Sequence, residues 1–195
     1  PYVTISSGRS HTCALLDNAS VKCWGYNNKG QLGIDHTNNM SDRTGREVAA
    51  LPSINLGTGR TATAISAGGS HTCALLDNAS VKCWGHNNYG QLGIDNTTDM
   101  GDGSGEMAVL PSINLGTGRT ATAISAGGSH TGSHTCAILD NASVKCWGKN
   151  TVGQLGIDHN TNIGDNSSEM AALPSINLGT GRTATSISVG DEHTC

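Results

Sequence analysis

The chain has 195 residues, among them 27 Gly and no Phe, with 3% aromatic, 35% hydrophobic and 13% charged residues and a formal net charge of −4. The charged fraction is about half the usual ~25%, and the 11 Lys and Arg are scattered. No basic stripe of the kind that releases phosphate counterions is visible, so nucleic acid is not an expected partner. No apolar run approaches the ~18 residues of a membrane-spanning helix, and Gly falls far short of the one-third that collagen requires.

The chain opens at Pro1, with neither an initiator Met nor a signal-type segment, and so reads as a trimmed start. Self-comparison then decides the organisation. The stretch SHTCALLDNASVKCWG occupies Ser10 to Gly25, returns unchanged at Ser70 to Gly85, and returns at Ser133 to Gly148 with Ile138 in place of Leu. A second block, LPSINLGTGRTAT, is identical at 51–63, 110–122 and 173–185. The phase markers Ile5, Ile65, Ile124 and Ile187 step by 60, 59 and 63 residues. The longest step carries a tandem GSHT at 128–135, a four-residue insertion that reads as a bulge beside the His, if the duplication itself is real. The expected units are 1–64, 65–123 and 124–186, with 187–195 beginning a fourth.

Within a unit four strands are predicted. TATAISAG (61–68) is rich in Thr and Ile, and HTCALL (71–76) alternates Cys73 and Leu75 against Thr72, Ala74 and Leu76. Asp77-Asn78-Ala79 makes a three-residue loop that sets Cys73 opposite Cys83 and puts Ala79 in a left-handed position more often held by Gly. SVKCWG (80–85) returns, followed by a Gly-rich corner at 85–93 and a polar loop of about 16 residues. LPSINL (110–115) supplies the fourth strand, with Pro111 tolerated at its start. Four-stranded antiparallel units in tandem make an all-β architecture, either a β-propeller arc or a stacked solenoid.

The His-Thr before the second strand, Trp84-Gly85 after the third, and Gly90-Gln91-Leu92-Gly93, with counterparts in the other units, resemble the repeat of the regulator of chromosome condensation family. The resemblance implies four-stranded blades of a seven-bladed propeller and a binding scaffold with no single fixed activity. Family members range from nuclear exchange factors for a small GTPase to secreted inhibitors of β-lactamases. Seven such blades need roughly 420 residues, so three units and a stub read as an open arc or a segment of a larger propeller.

Seven cysteines fall as Cys13/Cys23, Cys73/Cys83, Cys136/Cys146 and Cys195 alone. Cross-strand disulfides are the expected use, each worth about 2–3 kcal/mol. Free thiols remain an alternative, as does a zinc site that adds His11 to Cys13 and Cys23, although zinc normally takes four ligands in more compact spacings. Cys195 is expected to pair beyond the chain's end.

His11, His71 and His134 recur in every unit and read as structural residues bonding between strands or blades. Ser10 points to the opposite face of the strand from His11, which removes a nucleophile–base pair. Trp24, Trp84 and Trp147 are expected between blades. The Gln-Leu-Gly corners do not match a phosphate-cradling loop. No catalytic residue, metal or cofactor is assigned. Loop carboxylates at Asp35 and Asp42, at Asp95, Asp99, Asp102 and Glu106, and at Asp158, Asp165 and Glu169 leave calcium open beside a solvated loop.

Sequons stand at Asn18, Asn39, Asn78, Asn96, Asn141 and Asn166, on hairpin tips and in long loops, and are expected to carry N-glycans. Two functional expectations follow. The first is a non-enzymatic extracellular or cell-surface structural protein that adds copies of itself head-to-tail into a filament, since heterologous contacts need not close. The second is a soluble inhibitor or binding module gripping another protein, with Tyr26, Tyr89, Arg43 and Arg46 as weak anchor candidates. The cysteine pairs, sequons and acidic balance oppose a nuclear exchange factor.

Overall fold

A computed structural model describes residues 3–41, 47–129 and 132–195. Asp42, Arg43 and Arg46, and the first His of the tandem GSHT, lie outside these residues. Three antiparallel sheets follow one another along the chain. The first holds β1 (Thr4–Ser7), β2 (His11–Leu15) and β3 (Val21–Gly25); the second holds β4 (Ala62–Ala67), β5 (His71–Leu76) and β6 (Val81–Gly85). The third holds β7 (Ala121–Ser129), β8 (Gly132–Leu139) and β9 (Val144–Gly148). Among the described residues no helix is long and apolar enough to cross a membrane.

The hairpins have the register that the cysteine spacing predicts: Cys13, Cys73 and Cys136 oppose Cys23, Cys83 and Cys146. Ala19, Ala79 and Ala142 hold φ of 62°, 61° and 60° in the three tip loops. An alanine there costs some strain, and the Asn before it offsets part of this. Asn78 Oδ1 accepts both the backbone N–H and the hydroxyl of Ser80, at 3.2 and 2.7 Å, and the other two tips repeat the arrangement.

Two expectations need correction. Each sheet has three strands rather than four. Leu51–Leu56 runs beside β3 but offers one backbone bond, from Ile54 N–H to the Val21 carbonyl, and the later copies do the same through Ile113 and Ile176. The proline at the start of the segment has no N–H to donate, so it is held by burying Leu51, Ile54 and Leu56 instead of by a ladder. Among its described residues the GSHT duplication shows no bulge. It lengthens the β7–β8 hairpin, adding the pairs Gly127–His134, Gly128–Ser133 and Ser129–Gly132, while the register shift lies at Ala121/Ala123. The long loops also hold short helices, α1 (Glu106–Val109) and α2 (Glu169–Ala172).

Successive sheets meet along their first strands. Ser6 Oγ accepts the N–H of Ala67, Ser66 Oγ that of Ala126, and Ser125 Oγ that of Val189, at 2.9, 2.9 and 3.0 Å. The first strands therefore line the inner side of an arc that does not close. The stub continues the pattern as a hairpin in which Ser188 and Cys195 exchange both backbone bonds. One end of the sheets carries the loops at 8–10 and 25–41, the rim; the other carries the hairpin tips. Apolar side chains from adjacent sheets fill the space between them, as Leu15, Val21 and Leu32 do with Ala74, Leu76 and Trp84.

Candidate functional site

A latch repeats at each junction between sheets. His11 Nε2 lies 2.8 Å from Thr72 Oγ1, whose hydroxyl donates to the Gln31 carbonyl at 2.9 Å. Because the threonine proton is taken by that carbonyl, His11 must donate from Nε2. Trp84 Nε1 donates to the same carbonyl at 3.2 Å. The next junction is built alike from His71, Thr135, Gln91 and Trp147. At the stub, His134 meets Thr194, which donates to the Gln154 carbonyl. Close approach of the ring explains the glycine of the corner: a Cβ on Gly33 would stand 2.7 Å from Trp84 Nε1, and one on Gly93 equally close to Trp147 Nε1.

These histidines are buried and neutral. Burial lowers the pKa of His11 and His134 to about 4. His71 falls to about 3, through burial first and then the charges of His11, His134 and His86. Each has Nδ1 buried without a partner among the described residues, as fits a ring whose only proton serves Nε2. The imidazoles act between sheets and point to no substrate.

Cys13–Cys23, Cys73–Cys83 and Cys136–Cys146 are joined as disulfides, and Cys195 is a free, exposed thiol. His11 turns to Thr72 instead of joining its cysteines in a ligand set. Among the described residues no three His, Cys, Asp or Glu side chains converge as for a metal. The loop carboxylates hold backbone: Glu106 Oε2 accepts the N–H groups of Gly101, Asp102 and Gly103, and Glu169 does the same in the third unit. Burial alone would raise the Glu106 pKa, but donation from Gly103 and Gly101 holds it below the usual value. Asp35 and Asp95 each reach into the next sheet's loop and cap Met107 N–H and Met170 N–H at 2.9 Å.

The sequons divide. Asn18, Asn78 and Asn141 stand exposed on the tips, using only Oδ1. Asn96 donates its amide to the Ile94 carbonyl, and Asn166 donates to Asp165 and Glu169. Asn39 is half-buried, with Oδ1 on the Asn27 N–H.

Sequence reasoning missed the buried loop organisers. Asn27 holds the corner by donating to the His36 and Asn38 carbonyls and accepting from Leu32 N–H, and Asn87 and Asn150 repeat this role. Their recurrence at the same phase in all three units was the available signal. Gln91 uses Oε1 on Tyr89 N–H and Nε2 on His86 Nδ1. In the other two units Tyr26 and Lys149 stand at the phase of His86, and among the described residues the buried Nε2 groups of Gln31 and Gln154 have no acceptor.

The rim is where the units differ. Tyr26, His86 and Lys149 share one phase, and Lys29, Tyr89 and Val152 another. Between the first and second sheets, Ser10, Tyr26, Asn28, Lys29, Ser70 and His86 line a cleft of about 330 Å³. Lys29 Nζ is 3.1 Å from Asp99 there. At the next junction the corresponding side chains bridge instead: Lys149 Nζ lies 5.9 Å from the centre of the Tyr89 ring and 3.1 Å from Glu192.

Comparison with known proteins follows the repeats. A family model described as regulator of chromosome condensation (RCC1) repeat matches residues 2–31, 62–91 and 132–154, and a second model of that description matches 20–75. The chain is 28% identical over 191 residues to the human protein named probable E3 ubiquitin-protein ligase HERC6, covering 97% of this chain and 16% of that one. It is 31% identical over 154 residues to the ultraviolet-B receptor UVR8 of Arabidopsis thaliana, covering 78% and 31%. Yeast RCC1 (Prp20), solved bound to Kap60, superimposes with a TM-score of 0.70 at 20% identity over 98% of this chain and 40% of that one. The chain thus spans less than a third of either relative and under half of the solved protein.

Proposed function

Because the chain belongs to the family of regulator of chromosome condensation repeats, we propose that it is a non-enzymatic scaffold that binds another protein on its rim. The observation that carries this is the placement of variation among near-identical units. Positions that three copies share, such as the latch, build the fold; positions 26/86/149 and 29/89/152 vary, and of these Tyr26, Lys29 and the buried His86 line the cleft at the first junction. Tyr26, 38% exposed, supplies the aromatic anchor that sequence reasoning sought. The yeast neighbour's complex with Kap60 is a property of that protein and a precedent for the shape. The ligase and photoreceptor activities in the relatives' names belong to much longer chains and are not carried over.

The reading includes an extracellular or cell-surface setting, supported by three disulfides and by sequons whose free amides stand on the tips, away from the rim. A head-to-tail filament has less support. A second copy's first sheet would need the Gln154 carbonyl for its Thr12, and Thr194 of the same chain already donates there.

A photo-crosslinking residue placed at Tyr26 and, separately, at Asn78 tests the proposal on chain secreted from a eukaryotic host and returned to its native surroundings. Crosslinks to a different polypeptide are expected from position 26 and not from 78. Equal capture from both positions would remove the rim, and capture of only the chain itself would restore the filament. Peptide mapping of the same material is expected to find glycans on Asn18, Asn78 and Asn141 ahead of Asn39, Asn96 and Asn166.

A further inference from the structure

Of the 11 Lys and Arg, six fall at two repeated phases: Lys22, Lys82 and Lys145 in the third strand of each unit, and Arg60, Arg119 and Arg182 in the Gly-Thr-Gly-Arg block. Stacking brings the two phases together at both junctions between the three sheets. Lys82 stands opposite Ala74 and two residues before Trp84, so its side chain rises from the face of β6 that meets the first sheet. Its ammonium reaches the turn at Gly57 of the unit before, where a Cβ built on the glycine would stand 3.3 Å from Lys82 Nζ and 3.8 Å from Arg60 Cγ. At the next junction Lys145 reaches Gly116, with 3.3 Å to Nζ and 3.7 Å to Arg119 Cγ.

The charges in these two places do not balance. Lys82 and Lys145 are only 9% and 8% exposed, and among the described residues neither ammonium has a hydrogen-bond or ion-pair partner. The other lysines differ: Lys22 Nζ donates to the Ala49 carbonyl at 2.9 Å, Lys29 Nζ to Asp99 at 3.1 Å and Lys149 Nζ to Glu192 at 3.1 Å. The neighbouring arginines are taken, Arg60 by Asp77 at 3.5 Å and Arg119 by Asp140 at 3.4 Å. Each junction therefore gathers two cations and one carboxylate and keeps one positive charge in excess. A lysine that covers apolar surface with its stem normally carries its head out into water. Here both heads turn against a glycine turn, and burial lowers the pKa of each below the usual lysine value. A charge withdrawn from water is costly unless it is paired.

We propose that the Lys82–Gly57 and Lys145–Gly116 junctions are two copies of one site for a singly charged oxyanion, a carboxylate, bound by the lysine ammonium beside the arginine–aspartate pair. The single excess charge selects a carboxylate over a phosphate dianion, whose second charge would go unmatched. The glycine, having no side chain, leaves the ammonium approachable. Both sites lie between complete sheets and beside the hairpin tips that carry Asp77 and Asp140. They are separate from the rim, and neither proposal depends on the other.

The probe is sodium acetate, compared with sodium chloride at equal ionic strength and offered to the full chain with an isotope label at the lysine Cε carbons. Saturable NMR shifts are expected at Lys82 and Lys145 and none at Lys22, Lys29 and Lys149, whose ammonium groups are occupied. Acetate should also raise the thermal midpoint above that in chloride, because it binds the folded chain and not the unfolded one. Lys82→Met with Lys145→Met keeps both stems and removes both charges. It is expected to raise the midpoint in chloride and to abolish the further rise in acetate. A tetramer of galacturonic acid distinguishes the source of the carboxylate. Binding at least tenfold tighter than acetate assigns it to a polymer, equal binding per carboxylate assigns it to a free acid, and both support the site. Lysine signals that respond alike to acetate and chloride would overturn the proposal. So would a lower midpoint of the double variant in chloride, because the two ammonium groups would then be paired already.

Discussion

Trp84 and Trp24 occupy the same stretch of sequence, SHTCALLDNASVKCWG, yet Trp84 is fully buried and Trp24 only partly so. The difference is the neighbour. Trp84 lies on the Gly-Gln-Leu-Gly corner of the sheet before it, whereas among the described residues no such corner lies against Trp24. Ile5 and Ile65 make the same contrast, at 63% and 7% exposure. Each sheet is thus incomplete by itself, and its apolar side chains are buried only by stacking, as in other repeat arrays.

Acid should erase this contrast most strongly. His11, His71 and His134 carry protons in the unfolded chain below about pH 6.5, but in the fold only below about 4, 3 and 4. The unfolded state therefore binds more protons in that window, and stability falls as pH drops from 6.5, levelling off near 3. Each imidazole contributes a loss of about 3 kcal/mol or more at the low end. Tryptophan emission followed from pH 7 to 3 should shift to the red as Trp84 and Trp147 become as wet as Trp24; emission unchanged to pH 4 would contradict neutral, buried imidazoles.

Truncation should expose the contrast next. Trp84→Ala is expected to cost about 3–5 kcal/mol, the range for large buried aromatics, and Trp24→Ala roughly 1 kcal/mol, as measured by urea denaturation. Similar costs would mean that burial by the preceding sheet is not what holds Trp84.

How much of this was legible in the sequence depended on what each residue contacts. The hairpins were fully legible, because Cys73 and Cys83 with a three-residue loop leave one register, down to the left-handed Ala79. The fourth strand was misread, since Leu110, Ile113 and Leu115 are buried but only Ile113 donates to the neighbouring strand. The histidine's partner could not be read: Thr72 lies 61 positions away, and only stacking brings the two together. The loop carboxylates looked like cation ligands because sequence does not reveal which backbone amides a carboxylate will meet, as Glu106 meets three.

The smallest expected effect tests the varied phase of the rim. His86 gives the buried Gln91 amide its acceptor at 3.2 Å, and Tyr26 leaves the Gln31 amide without one. Tyr26→His should therefore stabilise the chain by about 1 kcal/mol, the net worth of a satisfied buried bond. Thermal unfolding of the two forms side by side measures it, and a lower midpoint in the variant would count against the assigned pairing.

The latch between sheets is tested most directly by solvent exchange of the indole protons, read by NMR on the native chain. The Trp84 and Trp147 indole N–H groups, closed onto the Gln31 and Gln91 carbonyls, should exchange with the slow rates of the global core, while that of Trp24 exchanges at least a hundredfold faster. Three indole protons that exchange alike would contradict it.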